Sequence, residues 1–322
     1  MLKRFTKKAE TEKLLLEGQL IDKSSIEGYF AERGAGLGLH LYETTDSTNK
    51  RASEYAKNMY ETDDERRIRE LFVAEQQTEG RGRLGRHWES PMGTGIWMSL
   101  MMNPDIDAEH ISEITLLAGV SVIMAIRDYA CEHSISKPVN CMNSSDSMGF
   151  ENGKELFNLD SIRIKWPNDV VINGKKVCGI LSELVYGSFV ISGIGINVNN
   201  EAFDTEKCAY ATSLFLESKE KWNRTELICR VSEYLISYIS ELEKNENIGF
   251  IKDTYNKLLV SIDQEVRLIP VTSDNEAYDE RNEKYISRGI DDTGALIVEN
   301  EQGEVRRVTS GEVSVRGLYG YV

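Results

Sequence analysis

The sequence predicts an α+β protein, a mixed or antiparallel sheet flanked by helices and followed by a small β-domain. Three patterns carry this prediction. Strand-like and helix-like segments alternate up to about residue 133, a run of short apolar strands spans 162–198, and after Val260 the chain breaks into short strand-like pieces divided by turn signals. With 322 residues, one large domain and a smaller companion are expected, since domains commonly run to ~100–200 residues.

In chain order, residues 1–38 are polar and charged, end in GAGLG, and read as a short appendage. The catalytic-sized block is placed at 39–260. It opens with the strand LHLYE, then Asp46 and Ser47 as candidate N-caps of a helix reaching about Met59. LFVAEQQ and IWMSLMM read as buried strands joined by the glycine-rich TEGRGRLGRHWESPMGTG. From Glu109 to about His133, Ile111, Ile114, Leu117, Ala118, Ile123 and Ile126 recur at helical spacing. Residues 134–158 have no period and read as a loop or insertion. IRIKW, VVI, KVCGILSELVY and SFVISGIGINV then form a meander, with a turn at Asn173–Gly174. Asn223 and Glu226 make a capping-box-like start to a helix bearing Leu227, Ile228, Val231, Leu235, Ile239 and Leu242. Residues 261–322 read as a small β-barrel.

Charge narrows the function. Lys and Arg number 38 against 53 Asp and Glu, a net charge of −15, which disfavours DNA and anionic membranes as partners. The apolar stretch Leu116–Ile126 is shorter than the ~20 residues of a spanning helix. Five cysteines without a CxxC pair, four scattered histidines and no signal-like N-terminus point to a cytoplasmic protein with reduced thiols and no protein-held metal.

Four motifs carry candidate chemistry. Gly80-Arg81-Gly82-Arg83-Leu84-Gly85-Arg86 spells GxGxxG, but Pro91 cuts short the helix a dinucleotide fingerprint requires. Its arginines, beside Trp88 and directly after a buried strand, instead suit an anion. In Ile164-Lys165-Trp166-Pro167-Asn168-Asp169, Lys165 offers a point charge at a rigid corner. Ser47, Thr48 and Asn49 are either a helix cap or a holder for a small polar group such as a ureido ring, and the residues alone leave this open. In Gly193-Ile194-Gly195-Ile196-Asn197, strand glycines admit either a close ligand or a β-bulge.

Taken together and in order, TTDSTN (44–49), EQQTEGRGRLGRHW (75–88), IKWPNDVVINGKKVCGILSE (164–183) and GIGINVN (193–199) closely resemble the biotin protein ligases, and the last 60 residues resemble that family's SH3-like C-terminal domain. The resemblance implies a class II synthetase-like catalytic domain. It also implies a two-step reaction: ATP activates biotin to biotinyl-5'-AMP and pyrophosphate, and biotin then passes to one lysine of a biotin carboxyl carrier domain of a biotin-dependent carboxylase. By the same resemblance, Ser47, Thr48, Asn49, Gln77, Arg81, Gly82, Arg83, Lys165 and Gly179 bind biotin. Gly80, Arg83, Arg86, Trp88, Lys165, Asn168, Lys176, Asn197 and Arg316 bind ATP or the adenylate, with Lys165 and Arg83 catalytic. Mg2+ is expected on the ATP phosphates, near Asn197, and a homodimer is compatible with the family. The 38 residues ahead of the block are too few for a winged-helix repressor domain. Residues 134–158 look longer than the family's usual segment there. Lipoate ligation, biotin-sensing DNA regulation and non-catalytic biotin binding are the competing readings.

Overall fold

The computed structural model describes residues 20–62, 67–135, 150–151, 154–155, 157–206, 208–270, 283–309 and 313–317. Most of the 134–158 segment lies outside these; its far end is a minimal pair of strands, β4 (Phe150–Glu151) and β5 (Lys154–Glu155).

A seven-stranded mixed sheet is the frame. It contains β1 (Gly38–Thr45), β2 (Arg69–Gln77), β3 (Gly95–Met102), β6 (Ile162–Lys165), β7 (Asp169–Ile172), β8 (Lys175–Val185) and β9 (Phe189–Asn197) in the order β1-β2-β3-β9-β8-β7-β6. Only β1 and β2 run parallel; the meander from β6 to β9 is antiparallel as its turn signals predict. Every residue of β3 is buried, which is why IWMSLMM shows no alternation: both of its faces are covered.

Helices lie on both faces. Helix α2 (Thr48–Glu61) packs Ala52 and Ala56 against Phe72, Met101 and Ile191. On the other face, α3 (Ile111–Glu132) and α5 (Arg224–Asn245) pack on each other and on the sheet. Residues 108–132 are long and apolar enough by length and composition to cross a membrane, yet most of the segment is buried inside the protein as its central core helix. Half of the expected capping box forms: the Asn223 side chain accepts from Glu226 N–H at 3.2 Å, but the Asn223 N–H donates to Tyr129 Oη at 2.8 Å while the Glu226 carboxylate turns to Arg230 and His133, and all six periodic apolar residues of α5 are buried. The short α4 (Leu214–Ser218) links the sheet to it.

The N-terminal segment is more than an appendage. Asp22 caps α1 (Lys23–Glu32), accepting from Ser24 N–H, and Ile26 and Phe30 enter the main core beside α5. Ile21 N–H donates at 2.6 Å to Glu75 on β2, whose carboxylate also pairs with the buried Arg224 at 2.8 Å. Arg224 in turn donates to the Gly95 carbonyl at 3.0 Å. A buried ion pair is tolerable only when its remaining hydrogen-bonding capacity is filled, as it is here.

After α6 (Gly249–Leu258), five strands form the C-terminal SH3-like antiparallel sheet: β10 (Glu265–Pro270), β11 (Lys284–Ile290), β12 (Leu296–Asn300), β13 (Val305–Val308) and β14 (Val313–Gly317), in the order β13-β12-β11-β10-β14. Its turn at Gly294 reaches the first domain, where the buried Trp166 indole N–H donates to the Gly294 carbonyl at 3.1 Å.

Candidate active site

The glycine-rich connection folds as a tight hairpin over the ends of the central strands. Trp88 N–H donates to Gly80 O at 2.9 Å and Gly82 N–H to Arg86 O at 2.7 Å, and the tip is a single 3-10 turn, Arg83–Gly85. One turn is not the helix a dinucleotide fingerprint requires, so that spelling is a coincidence. The hairpin lays the Trp88 ring on two strand glycines. A Cβ on Gly195 would fall 2.7 Å from Trp88 Nε1, and one on Gly179 would fall 2.9 Å from the ring, so both positions exclude a side chain. The β3–β9 register is unbroken through Gly193–Asn197, which rules out the bulge alternative.

Beneath the hairpin, a small polar pocket forms where α2 begins against β2, β8 and β9. Ser47, Thr48, Asn49, Gln77, Arg81, Gly82 and Arg83 line it, with Gly179, Gly193 and Gly195 as its floor. Ser47 occupies the N-cap position of α2 yet makes no capping bond among the described residues. Thr48 N–H donates to Gln77 Oε1 at 2.8 Å, and Gln77 Nε2 donates to Ser90 Oγ at 3.0 Å. Ser99, from the middle of β3, bonds both Thr48 Oγ1 (2.7 Å) and Asn49 Oδ1 (2.6 Å). Asn49 is therefore held inside the protein at both ends of its amide, since its Nδ2 donates to Glu183 at 2.7 Å.

A larger cleft of about 400 Å³ adjoins this pocket, within the ~300–1,000 Å³ usual for small-molecule sites. Gly82, Arg83, Trp88, Asn168 and Lys176 belong to both, so they form the shared wall. Lys165 ends β6 opposite Asp169 and lines the cleft, the residue only 8% exposed. The corner between them contains a cis Trp166–Pro167 bond. Arg83 Nη1 donates to Asn168 Oδ1 at 3.0 Å, pinning the hairpin tip to that corner. Burial pulls the Arg83 guanidinium below its ordinary pKa, opposed by the nearby Asp169 carboxylate. Lys176 pairs with Asp169 at 2.7 Å and lies 5.1 Å from the Trp88 ring centroid. Asn197 Nδ2 donates to Thr212 O at 3.0 Å.

Most of the sequence-predicted residues thus converge. Ser47, Thr48, Asn49, Gln77, Arg81, Gly82, Arg83 and Gly179 surround the pocket, while Arg83, Arg86, Trp88, Lys165, Asn168, Lys176 and Asn197 line the cleft. Lys165, expected at both, lines the cleft. Gly80 supports the hairpin from behind, where an added Cβ would meet the Trp88 carbonyl at 2.4 Å. Arg316 lies on β14 opposite Arg267, its side chain outside the described residues. Sequence reasoning missed Ser90, Ser99 and Glu183. It also missed Asn200, 6% exposed on the cleft wall, whose Nδ2 donates to Thr94 Oγ1 at 3.1 Å and whose Oδ1 has no hydrogen-bond partner among the described residues.

Comparison with known proteins fits this geometry. Residues 41–199 match the biotin/lipoate A/B protein ligase family, and residues 279–316 match the biotin protein ligase C-terminal domain. The bifunctional ligase/repressor BirA of Bacillus subtilis is 32% identical over 289 residues, covering 87% of this chain and 75% of that protein. The biotin–[acetyl-CoA-carboxylase] ligase of Mycobacterium tuberculosis is 27% identical, covering 87% of this chain and 91% of that one. The solved structure of Aquifex aeolicus biotin protein ligase in complex with biotin and ATP superposes with a TM-score of 0.65 at 26% identity, over 87% of this chain and 99% of that one. The chain therefore belongs to the biotin/lipoate A/B protein ligase family. Within it the similarity runs to the biotin protein ligases, in both the catalytic block and the C-terminal sheet.

Proposed function

We propose that the small pocket holds the biotin ring system, that the cleft holds ATP, and that their shared wall is where the two react. The observation carrying this reading is the junction itself: a polar pocket and a nucleotide-sized cleft divided only by Gly82, Arg83, Trp88, Asn168 and Lys176, with Lys165 beside them. A biotin carboxylate oxygen attacks the α-phosphorus of ATP, pyrophosphate leaves, and the acyl–adenylate mixed anhydride remains. An acceptor lysine amine then attacks the acyl carbon and AMP departs. Carboxylate and phosphate repel each other, and the fixed cations Lys165 and Arg83 offset that repulsion where the new bond forms. The hairpin over the pocket shields the anhydride from water until the acceptor arrives. Arg316 is taken to reach the phosphates from β14.

No cluster of three His, Cys, Asp or Glu suited to a metal occurs among the described residues, and the cleft donors are mainly cations and amides. Mg2+ would arrive on the triphosphate, with Asn197, which lines the cleft and donates through Nδ2 to Thr212 O, as the residue that would hold it. The ion would supply charge screening on the phosphates. A ureido ring also suits this pocket better than the apolar ring of lipoate, because hydroxyl and amide groups of Ser47, Thr48 and Gln77 line it.

The acceptor is taken to be the carrier domain of a biotin-dependent carboxylase. Intact-mass measurement of such a domain, incubated with this protein, biotin and Mg-ATP, tests the whole reading. One added biotinyl mass that requires ATP is expected. A shift with lipoate and none with biotin overturns the substrate assignment.

A further inference from the structure

A chain of hydrogen bonds runs beneath the pocket, and its direction is set at its outer end. The Glu183 carboxylate can only accept, so Asn49 must turn Nδ2 toward it, at 2.7 Å from Oε2. The Leu181 carbonyl, 3.4 Å from the same nitrogen, favours the same orientation. Asn49 Oδ1 then faces Ser99 Oγ at 2.6 Å, and since an amide oxygen can only accept, the single Ser99 proton is committed there. Thr48 Oγ1 lies 2.7 Å from that same Ser99 oxygen, so this contact must use the Thr48 proton. The alternative acceptor, Gln77 Oε1, is farther from Thr48 Oγ1 at 3.1 Å and already receives Thr48 N–H at 2.8 Å. With its proton directed inward, Thr48 Oγ1 meets the pocket as an acceptor. The amide lies against the Gly193 backbone, where an added Cβ would come within 2.1 Å of Asn49 Oδ1.

Glu183 itself is exposed on β8 and outside the lining of the pocket. We propose that Glu183 is a positioning residue for biotin recognition, which acts through Asn49 and Ser99 to present the Thr48 hydroxyl as an acceptor to a ureido N–H. The proposal rests on the biotin reading above, and it recasts Asn49 as a relay rather than a direct ligand contact.

The test is a series at one exposed position, Glu183→Gln, Glu183→Ala and Glu183→Lys, read by biotin Kd from calorimetry, by biotin-dependent pyrophosphate release, and by Tm. The Gln carbonyl still accepts from Asn49, so Glu183→Gln stays within about twofold of wild type in biotin Kd. Lysine donates, draws Asn49 Oδ1 outward, and reverses every proton down to Thr48. Glu183→Lys therefore weakens biotin binding by about tenfold, equivalent to about 1.4 kcal/mol, with Glu183→Ala between the two. ATP KM, kcat at saturating biotin and Tm stay near wild type in all three. Wild-type biotin Kd in Glu183→Lys, or equal weakening in all three variants, overturns the relay. Failure of the wild-type protein to release pyrophosphate with biotin overturns the substrate reading instead.

Discussion

The two halves of the site are built on opposite plans. The pocket proposed for biotin is cut into the sheet: its polar groups come from regular strands and the first turn of α2, and they are bonded to one another before any ligand arrives. The cleft proposed for the nucleotide is assembled from a hairpin, a proline corner and the segment after β9, and it keeps the cations. A ring of fixed shape can be met by groups in fixed positions, at little ordering cost on binding. A reacting triphosphate instead needs charge that can be brought up as the bond changes, which suits elements joined by loops.

Substitutions at the junction should break this division most. Lys165→Ala is expected to lower single-turnover adenylate formation by roughly 10²–10³-fold while calorimetric biotin binding falls far less; an equal loss in both would move Lys165 to the biotin side. Arg83→Ala removes a charge-assisted contact and should speed biotinyl-5'-AMP dissociation by roughly 10–100-fold, measured by chasing labelled adenylate, with retention at the wild-type level counting against a closing role for the hairpin.

Two smaller effects sharpen the contrast. Asn200→Ala removes a cleft-wall side chain and its hydrogen bond to Thr94, and should raise ATP KM several-fold, roughly what one neutral hydrogen bond contributes, leaving biotin KM alone. Asp46, just before the α2 cap, marks the pocket side. Burial would raise its carboxyl, but hydrogen bonds from Lys50, Ser47 N–H and Thr45 and the charge of Arg51 hold it well below the usual 3.8. A depressed carboxyl stabilises the fold above its unfolded value and loses that contribution as pH falls through the folded one. The Tm difference between wild type and Asp46→Asn should therefore be constant above about pH 5 and vanish in more acidic buffer. A difference that persists at low pH would show that the charge plays no part.

Legibility in the sequence followed the same division. Candidate residues that carry charge or sit beside it stand in clusters along the chain, so the arginine hairpin, Lys165 and Asn197, which line the cleft, are legible in the sequence. The α5 helix was equally plain, because a capping pair and a 3.6-residue period agree. Partners that act across strands left no local trace. Ser99 is one hydroxyl inside an apolar strand, Glu183 reads as solvated surface, and only pairing brings them to Asn49, 50 and 134 residues away in sequence. Residues 20–38 misled for another reason: a polar surface conceals two apolar anchors, Ile26 and Phe30, which find their place only against α5.

The contact between Ile21 and Glu75 sets a practical limit on trimming this enzyme. A shortened version beginning at the first strand of the sheet, Gly38, would remove the N–H that satisfies one oxygen of a carboxylate 5% exposed, two positions from Gln77. The opposing Arg224 would then hold a half-satisfied partner in the core, a defect of about 1–3 kcal/mol. Minimal forms made for labelling or crystallisation should begin ahead of Ile21, and circular permutants should keep that segment joined to β1.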